Sequence, residues 1–389
     1  MKGVRKVELF VLCDAKYRNA VWCDIKLKGI MDEATRRRIQ PKVFTSLSDV
    51  KTAAEKCTEE VSVILLFDSI TWLENAIEIL LPYNPHFIVS ANYVPKKLPV
   101  EYSLVGTDAD RSMRDTVNYL YSCNKKKIAL VGINRDSCND MGRTEMFEKY
   151  VSNEEGRVFY IEENMYDSFD EFFKVQEEFD AAVCTNDLVA ICLVEYLKKH
   201  ERKRDKLFVI SHTDTVMARL YGDGITSVTT NFYDCGRLLV ETYFNRLKHG
   251  LSSSHNLIPA TLNVRGSTDN ILCRNDNLQI LLNNGSKEKP KPIVVQTGEI
   301  GRLERLLATS DLVNFKLMYC LICGYNYDKM SEYCFISSET ARYRVRKIKT
   351  ALAVSQKREV AELVRKYIKK ESLLAIIAET EEKNNRILV

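Results

Sequence analysis

The sequence has little of what interrupts a globular fold. Of its 389 residues, 15 are glycine and 8 are proline, which excludes collagen-like and low-complexity architectures. No stretch approaches the roughly 18 apolar residues that a membrane-spanning helix needs. The apolar segment Val7–Cys13 ends at Asp14 without a small-residue cleavage site. We therefore expect neither a membrane segment nor a secretory signal.

Motifs for catalysis and metal binding are also missing. The sequence contains no G-x-S-x-G, P-loop or H-E-x-x-H motif, and its five histidines show no ligand spacing. Cys320 and Cys323 form a lone C-x-x-C inside an apolar helix, which favours core packing. The twelve cysteines are scattered, which favours reduced thiols. We expect a cytoplasmic protein that is not an enzyme and holds no cofactor or metal.

Charge is distributed unevenly along a chain of ordinary globular composition. Hydrophobic residues make up 45% and charged residues 28% of the sequence, and this length predicts two or three domains. The net charge is +4, but residues 287–389 hold 20 Lys/Arg against 13 Asp/Glu, a net of +7. The remaining chain is therefore slightly acidic, and a single basic end suggests a nucleic-acid partner there.

Short apolar runs alternate with amphipathic stretches from residue 7 to about 230. The predicted strands are Val7–Cys13, Val43–Thr45, Val61–Phe67, Phe87–Ser90, Ile128–Gly132, Val158–Ile161, Ala181–Cys184, Leu207–Ile210 and Ile225–Thr230. The predicted helices are Asp24–Arg38, Val50–Cys57, Trp72–Leu81, Arg111–Cys123, Met141–Val151, Phe169–Phe179, Leu188–His200 and Cys235–Lys248. Continuous apolar strands separated by helices indicate parallel sheets covered on both faces. The pattern predicts an α/β fold with two doubly wound lobes.

The composition changes beyond Leu282. Residues 283–300 are polar and rich in charge, glycine and proline, which is typical of a linker. We expect a two-lobed domain at 1–282, with lobe 1 at about 4–106 plus 231–257 and lobe 2 at about 107–230 plus 258–282. A small all-α domain is predicted at 301–389.

Four helices are predicted within residues 311–370. Asp311 is a plausible N-cap of the first, which ends at Cys323 before Gly324. The second covers Tyr327–Cys334 and the fourth Lys357–Lys369. The third, capped by Ser337 or Ser338, runs to about Ala351 and carries an apolar stripe at helical spacing: Ala341, Val345, Ile348 and Leu352.

The third helix has the chemistry of a helix that reads the major groove. Residues 340–370 carry eleven Lys/Arg against two Glu, and arginine binds guanine edges and phosphates. A solvated basic face is the alternative explanation. The predicted DNA-binding residues are Ser338, Thr340, Arg342, Tyr343, Arg344, Arg346, Lys347 and Lys349.

Residues 311–366 resemble the LuxR-type helix-turn-helix. The family pattern I-S-x-x-T-V-K-x-H-x-x-x-I corresponds to Ile336-Ser337-Ser338-Glu339-Thr340-Ala341-Arg342-Tyr343-Arg344-Val345-Arg346-Lys347-Ile348. The chain departs from the pattern at Ala341, at Arg344 where His is usual, and at Ala351 where Lys is common.

Three segments of the larger domain resemble the regulatory core of the LacI/GalR family. Lys127–Glu148 is similar to I-A-x-I-G…R-x-x-G-F, Phe179–Leu197 to P-D-A-I-x-x-x-N-D-x-x-A, and Phe208–Gly236 to an apolar strand followed by L-T-T-V…G. The resemblance implies a periplasmic-binding-protein-like fold over residues 4–282. It also implies a small molecule held in a cleft at the strand ends.

The resemblance assigns candidate effector-binding residues position by position. Arg143 would anchor an anionic or hydroxyl group, while Asn186 and Asp187 would lie at the next strand end. Two structural alternatives stay open: a salt bridge for Arg143 and a helix N-cap for Asn186. Asp14, after the first strand, and Asp214, one step later than the usual acid, complete the set.

Two departures from the family bear on the effector. Ser211-His212-Thr213 stands where Gly-Tyr-Asp is common, and Ser90 stands where sugar-binding members often have an acid. We therefore expect an anionic or phosphorylated effector rather than a neutral hexose. The predicted function is a homodimeric, ligand-responsive regulator that binds duplex DNA through the C-terminal helix-turn-helix. The alternative is a small-molecule-binding protein whose basic module makes protein contacts.

Overall fold

The computed structural model describes four stretches of the chain: residues 7–94, 98–200, 207–268 and 298–387. Contacts divide the protein into two compact units. Unit 1 comprises Met1–Ile161 and Thr229–Leu262, and unit 2 comprises Glu162–Val228 and Asn263–Val389. Most of the predicted linker at 283–300 lies outside the described residues, and its last two positions open a helix.

Nine of the twelve strands in the described residues match predicted strands, with bounds shifted by up to three residues; the fifth, eleventh and twelfth were not among the predicted strands. In chain order the strands are β1 (Val7–Cys13), β2 (Lys42–Phe44), β3 (Glu60–Leu66), β4 (His86–Ser90), β5 (Tyr102–Thr107), β6 (Ile128–Ile133), β7 (Gly156–Tyr160), β8 (Ala181–Cys184), β9 (Phe208–Thr213), β10 (Thr226–Thr229), β11 (His255–Ile258) and β12 (Leu262–Asn263).

The helices separate these strands and then form a run at the C-terminal end. They are α1 (Val21–Arg36), α2 (Leu47–Lys56), α3 (Ile70–Leu80), α4 (Ala109–Ser122), α5 (Cys138–Tyr150), α6 (Met165–Val175), α7 (Asp187–Lys199), α8 (Val216–Leu220), α9 (Phe232–His249), α10 (Glu299–Ala308), α11 (Leu312–Ile322), α12 (Tyr327–Cys334), α13 (Ser338–Leu352), α14 (Lys357–Tyr367) and α15 (Lys370–Ile387). Among the described residues, no helix combines the length and apolar content needed to cross a bilayer.

Two parallel-dominated sheets confirm the predicted α/β class. In unit 1 one sheet has the order β11-β5-β4-β3-β1-β2, and its pairings run parallel. In unit 1 β6 also pairs in parallel with β7, and in unit 2 β8 pairs in parallel with β9. Parallel strands joined by helices place all their carboxyl ends at one edge of a sheet, where ligands usually bind.

Helices cover both faces of the first sheet. Alternate residues of β1 enter opposite cores: Phe10 and Leu12 pack with α2 and α3, whereas Leu9 and Val11 pack with α1 and α9. All four side chains are at least 95% buried. This two-sided burial explains why the strand is apolar at every position from Leu9 to Cys13 rather than at every second one.

Two glycines let α1 and α9 approach closely. A Cβ atom on Gly236 would lie 2.1 Å from the carbonyl oxygen of Lys26, and one on Gly29 would lie 2.2 Å from that of Tyr233. Only a residue without a side chain fits at such separations. The contact fixes α1 against the N-terminal half of α9.

The C-terminal helices form an all-α module with the predicted turn. Asp311 caps α11, and Gly324 follows it in the left-handed conformation. Helix α12 has the predicted bounds, and Phe335 at φ +55° and the cap Ser337 form the turn into α13. The predicted stripe is buried throughout: Ala341, Val345, Ile348 and Leu352.

The module packs against the rest of unit 2. Helix α10 contacts α8 and α7, and α15 contacts α8. An antiparallel bridge joins Tyr221 to Ile368, the amide of Gly222 donates to the carbonyl of Tyr367 at 3.2 Å, and Lys369 pairs with Asp223. The module is therefore docked on this unit through both apolar and backbone contacts.

Candidate functional sites

Polar side chains gather at the carboxyl edge of the unit 1 sheet. Asp14 directly follows β1 and is 5% exposed, and its carboxylate accepts from the amide of Lys16 at 3.0 Å. Burial raises the pKa of Asp14, and the negative charges of Asp68 and Asp136 raise it further. The hydrogen bond from Lys16 and the charge of that residue act in the opposite direction. The predicted residue thus stands among acidic groups.

The loop after β3 is hydrogen-bonded to the loop after β6, an arrangement that we call the clasp (residues 68–71 and 134–139). Asp68 accepts from Ser137 Oγ at 2.9 Å and from Asn139 Nδ2 at 2.8 Å. The backbone contributes as well, since the amide of Cys138 donates to the carbonyl of Asp68 at 2.8 Å.

Asp136 holds the other side of the clasp. Its carboxylate accepts from Ser69 Oγ at 2.6 Å, and from the amide and hydroxyl of Thr71 at 3.0 and 2.8 Å. Burial alone would raise the pKa of Asp136, but these hydrogen bonds outweigh it and lower the pKa. An ionised carboxylate therefore ties the two loops together.

Arg143, predicted to anchor an effector, already has a carboxylate partner. Its Nη1 atom lies 2.9 Å from Oδ1 of Asp140 one turn earlier, and the two side chains are 12% and 13% exposed. Burial raises the pKa of Asp140, against the attraction of Arg143. The pairing corresponds to the salt-bridge alternative, and the effector role stays a prediction.

Lys26 is a buried ammonium that the sequence analysis did not single out. It is 6% exposed, and its Nζ atom donates to Ser90 Oγ, at the carboxyl end of β4, at 2.9 Å. The rings of Trp22 and Phe232 have centroids 5.1 and 5.6 Å from Nζ. No described carboxylate lies within ion-pair distance of it, and burial lowers its pKa.

Asn186 and Asp187 lie where β8 gives way to α7 in unit 2. Asn186 is the N-cap, and its side chain accepts from the amide of Val189 at 3.0 Å. This contact corresponds to the N-cap alternative for Asn186, and it uses the side-chain oxygen of Asn186 as a hydrogen-bond acceptor. Burial raises the pKa of Asp187, whose side chain is fully enclosed, while hydrogen bonds oppose the rise.

The hydrogen-bond donors to Asp187 come from two neighbouring strands and the loop after the first of them: Ser211, Thr213, Thr215 and Ser227. Strand β9 continues to Thr213, three residues beyond its predicted end at Ile210. Ser211 and Thr213 donate to this carboxylate, whereas a ring nitrogen of His212 contacts the carbonyl of Cys184. Asp187 therefore organises the carboxyl edge of the unit 2 strands.

Asp214 forms a second buried acidic centre beside Asp187. Its carboxylate lies 2.7 Å from Nη1 of Arg265 and accepts from Asn263 Nδ2 at 3.0 Å. Ser227 connects the two centres, because it donates to Asp187 at 2.7 Å and accepts from the amide of Asp214 at 3.0 Å. Thr213 has φ +107°, a strained conformation for a β-branched residue that this network holds.

The exposed face of α13 carries three cations without a carboxylate partner in the described chain. Arg342 and Arg346 lie one turn apart, and Lys347 follows. The guanidinium of Arg342 stacks 4.5 Å from the ring of Tyr327, and Lys347 lies 4.8 Å from the ring of Tyr343, which is 54% exposed. These side chains project away from the buried stripe.

The other predicted DNA-binding residues have partners within the module. Arg344 pairs with Asp311 at 2.7 Å, and this contact helps to lower the pKa of Asp311 against the effect of burial. Lys349 donates to the carbonyl of Ser355 at 2.8 Å. Ser338 donates to Asp328, and Thr340 contacts the cap Ser337. These contacts stabilise helix ends and leave the DNA-binding role of these residues a prediction.

Most cysteines in the described ranges are buried, as expected for thiols that pack inside a core. Cys320 is buried inside α11, Cys323 is half-buried at its end, and the cysteines of the described ranges are unpaired. Within those ranges no group of three His, Cys, Asp or Glu residues could hold a metal ion.

Comparisons with known proteins concern the larger domain. The sequence of residues 117–268 matches the family described as periplasmic binding protein-like domain. A search of the curated proteins finds no match.

Solved structures share the fold at low sequence identity. The transcriptional regulator CelR in complex with cellobiose is 14% identical with a TM-score of 0.56, over 69% of this chain and 86% of that one. A LacI family regulator from Enterococcus faecium with bound ribose is 15% identical with a TM-score of 0.55, over 67% and 98%. The LacI family regulator CCPA from Weissella paramesenteroides with bound sucrose is 18% identical with a TM-score of 0.53, over 68% and 100%.

Proposed function

We propose that the protein is a transcriptional regulator that binds duplex DNA through α12 and α13 and responds to a small-molecule effector. One observation carries the proposal: helix α13 buries its apolar stripe and presents Arg342, Arg346 and Lys347 on the opposite face. A fixed helix with unpaired guanidinium groups on one exposed face suits a major groove.

The turn before α13 supports this function. Helix α12 has eight residues, and a left-handed Phe335 and the cap Ser337 redirect the chain into α13. Arginine recognises guanine through paired hydrogen bonds, and lysine adds phosphate contacts. Arg346 and Lys347 are exposed and line part of a cavity of about 660 Å³ beside α13.

The larger domain suits an effector of small-molecule size. Its relatives in fold hold cellobiose, ribose or sucrose, and we propose that this domain binds a metabolite of similar size at the carboxyl edges of its sheets. Asp14 and Arg143 in unit 1, and Asn186, Asp187 and Asp214 in unit 2, are the proposed polar contacts. An anionic or phosphorylated effector is the expected class.

Contacts inside unit 2 offer a route from the effector to DNA. Helix α7 begins at Asp187 and contacts α10, the first helix of the DNA-binding module. An effector that repositions Asp187 would therefore move the helix that supports α13. Coupling energies between two such sites are typically about 1–3 kcal/mol.

We also propose a homodimer that acts in the cytoplasm. One small helix-turn-helix buries little surface on DNA, and linking two half-sites raises affinity without new contacts.

The test is a gel-shift titration of the full-length protein on its own promoter fragment at several salt concentrations. We expect the apparent affinity to fall steeply with salt, and the double variant Arg342→Ala/Arg346→Ala to lose roughly 100-fold or more in affinity, because each base contact contributes about 1–3 kcal/mol. The control Arg114→Ala/Lys174→Ala removes two exposed charges outside the module and should bind like wild type. Equal binding by both double variants would refute the assignment.

A further inference from the structure

We infer that Lys26 is the receptor for an anionic group, a carboxylate or a phosphate, of the effector. The inference deepens the proposed function and rests on its claim that this domain binds a small molecule. The proposed contact for the anion is therefore Lys26, which belongs to no recognised motif, rather than Arg143, which the sequence predicted.

The ammonium of Lys26 has no negatively charged partner within ion-pair distance among the described residues. Buried ammonium groups in proteins are almost always paired with an acid, because an unpaired charge in a low dielectric is costly. Lys26 is 6% exposed, and the neutral hydroxyl of Ser90 is its hydrogen-bond partner among the described residues. An ammonium has three N–H donors, so two remain for a ligand.

Arg143 provides the contrast within the same unit. Its side chain is 12% exposed, and its guanidinium lies 2.9 Å from the carboxylate of Asp140. A second anion there would join a guanidinium whose charge Asp140 already balances, and would bury an uncompensated negative charge. Lys26 imposes no such cost.

The position of Lys26 near the carboxyl edge of the sheet also favours a ligand-binding role. Ser90 ends β4 at the carboxyl edge of the sheet, next to the strand that leads to Asp68 and close to the strand that leads to Asp14. Ligands of doubly wound sheets bind at this edge. The close approach of α1 and α9 at Gly236 fixes the backbone of Lys26, and the hydrogen bond to Ser90 holds the ammonium at this edge.

Two aromatic rings complete the surroundings. Trp22 and Phe232 lie 5.1 and 5.6 Å from the ammonium, and each is only half-buried. Such rings stabilise the cation and offer a flat apolar face to the body of a ligand. The combination fits a small organic acid or a phosphate monoester that carries a ring or a carbon chain.

The test uses thermal-shift titrations of the full-length protein at constant ionic strength. The probes are inorganic phosphate, glucose 6-phosphate and gluconate, with neutral glucose for comparison. The variant Lys26→Met removes the charge at similar volume, and Lys28→Met removes an exposed charge two residues away on the same helix. The variant Lys26→Gln also removes the charge but keeps an N–H donor, and it replaces Lys26→Met if that variant does not fold.

We expect at least one anionic probe to raise the melting temperature of wild type and Lys28→Met, and glucose to leave it unchanged. Lys26→Met should need at least tenfold more probe for the same shift. The probe that gives the largest shift in melting temperature identifies the preferred anion: a free phosphate, the carboxylate of gluconate or the phosphate monoester of glucose 6-phosphate. The inference is wrong if no anionic probe shifts wild type, or if Lys26→Met responds as wild type does.

Calorimetry gives an independent readout. Burial lowers the pKa of Lys26 and a bound anion raises it again, so binding should take up protons, and the heat should differ between Tris and HEPES buffers. Cys23, Cys235 and Asp68 are the titratable neighbours. Gel shifts of wild type without any probe decide the DNA-binding proposal separately, so the failure of one proposal is distinguishable from the failure of the other.

Discussion

Removing the carboxylate of Asp136 should open the clasp between the loops after β3 and β6. The variant Asp136→Ala removes the acceptor for Ser69 Oγ and for the amide and hydroxyl of Thr71. Hydrogen bonds to a charged group contribute about 1.5–3 kcal/mol each when buried. Because Asp136 is only half-buried, we take less than their sum and expect a loss of about 2–4 kcal/mol in the free energy of unfolding.

The effect should depend on pH with a defined sign. The hydrogen bonds lower the pKa of Asp136 below its ordinary value of 3.8. A carboxyl group with a lowered pKa stabilises the fold above its ordinary pKa and loses this contribution as the pH falls through the lowered value. The stability gap between wild type and Asp136→Ala should therefore be full at neutral pH and shrink below about pH 4.

Urea denaturation followed by circular dichroism at pH 7 and at pH 3 measures both effects. The control is Asp24→Ala, which removes an exposed carboxylate that pairs with Arg18 at 2.7 Å. Surface ion pairs contribute about 0–1 kcal/mol, so this variant should stay close to wild type. A gap for Asp136→Ala no larger than that of the control, or one that is unchanged at pH 3, would refute the reasoning.

Two further predictions concern packing and assembly. Gly236→Ala should destabilise unit 1, because its Cβ would lie 2.1 Å from the carbonyl oxygen of Lys26. The control is Gly222→Ala, at a site with open space but a left-handed φ of +57°. A lower urea midpoint for Gly236→Ala than for Gly222→Ala would show that the close approach costs more than the backbone strain. The proposed homodimer should sediment as a dimer at micromolar concentration with promoter DNA present, and a monomer under those conditions would contradict it.

Local patterns were strong enough to predict four helices of the C-terminal module, α11 to α14. The second helix has the predicted bounds, and the four apolar positions of α13 are the buried ones. Helical spacing, a cap at Ser337 and the absence of proline act over short distances, so the sequence reports them directly. Nine strands were equally accessible, because burial on both faces keeps most of their residues apolar.

Side-chain partners could not be predicted in the same way. Lys26 lies on an amphipathic helix whose lysines normally face solvent, and its contact with Ser90 joins residues 64 positions apart. The extension of β9 through Ser211 was missed because a polar residue breaks the apolar pattern, although Asp187 makes its burial favourable. The pairing of Arg143 with Asp140, three residues apart on one helix, was the exception that spacing alone could indicate.

The docking of the C-terminal module on unit 2 has a consequence for how such proteins can be taken apart and recombined. Leu303 and Leu307 of α10 are buried, and the backbone of Tyr367 and Ile368 is hydrogen-bonded to the segment around Gly222. A fragment cut before α10 would expose this surface, and a chimera with a foreign α/β domain would lack its counterpart. The unit of exchange between proteins built in this way is therefore the module together with α8 and the turn that follows it, rather than α12 and α13 alone.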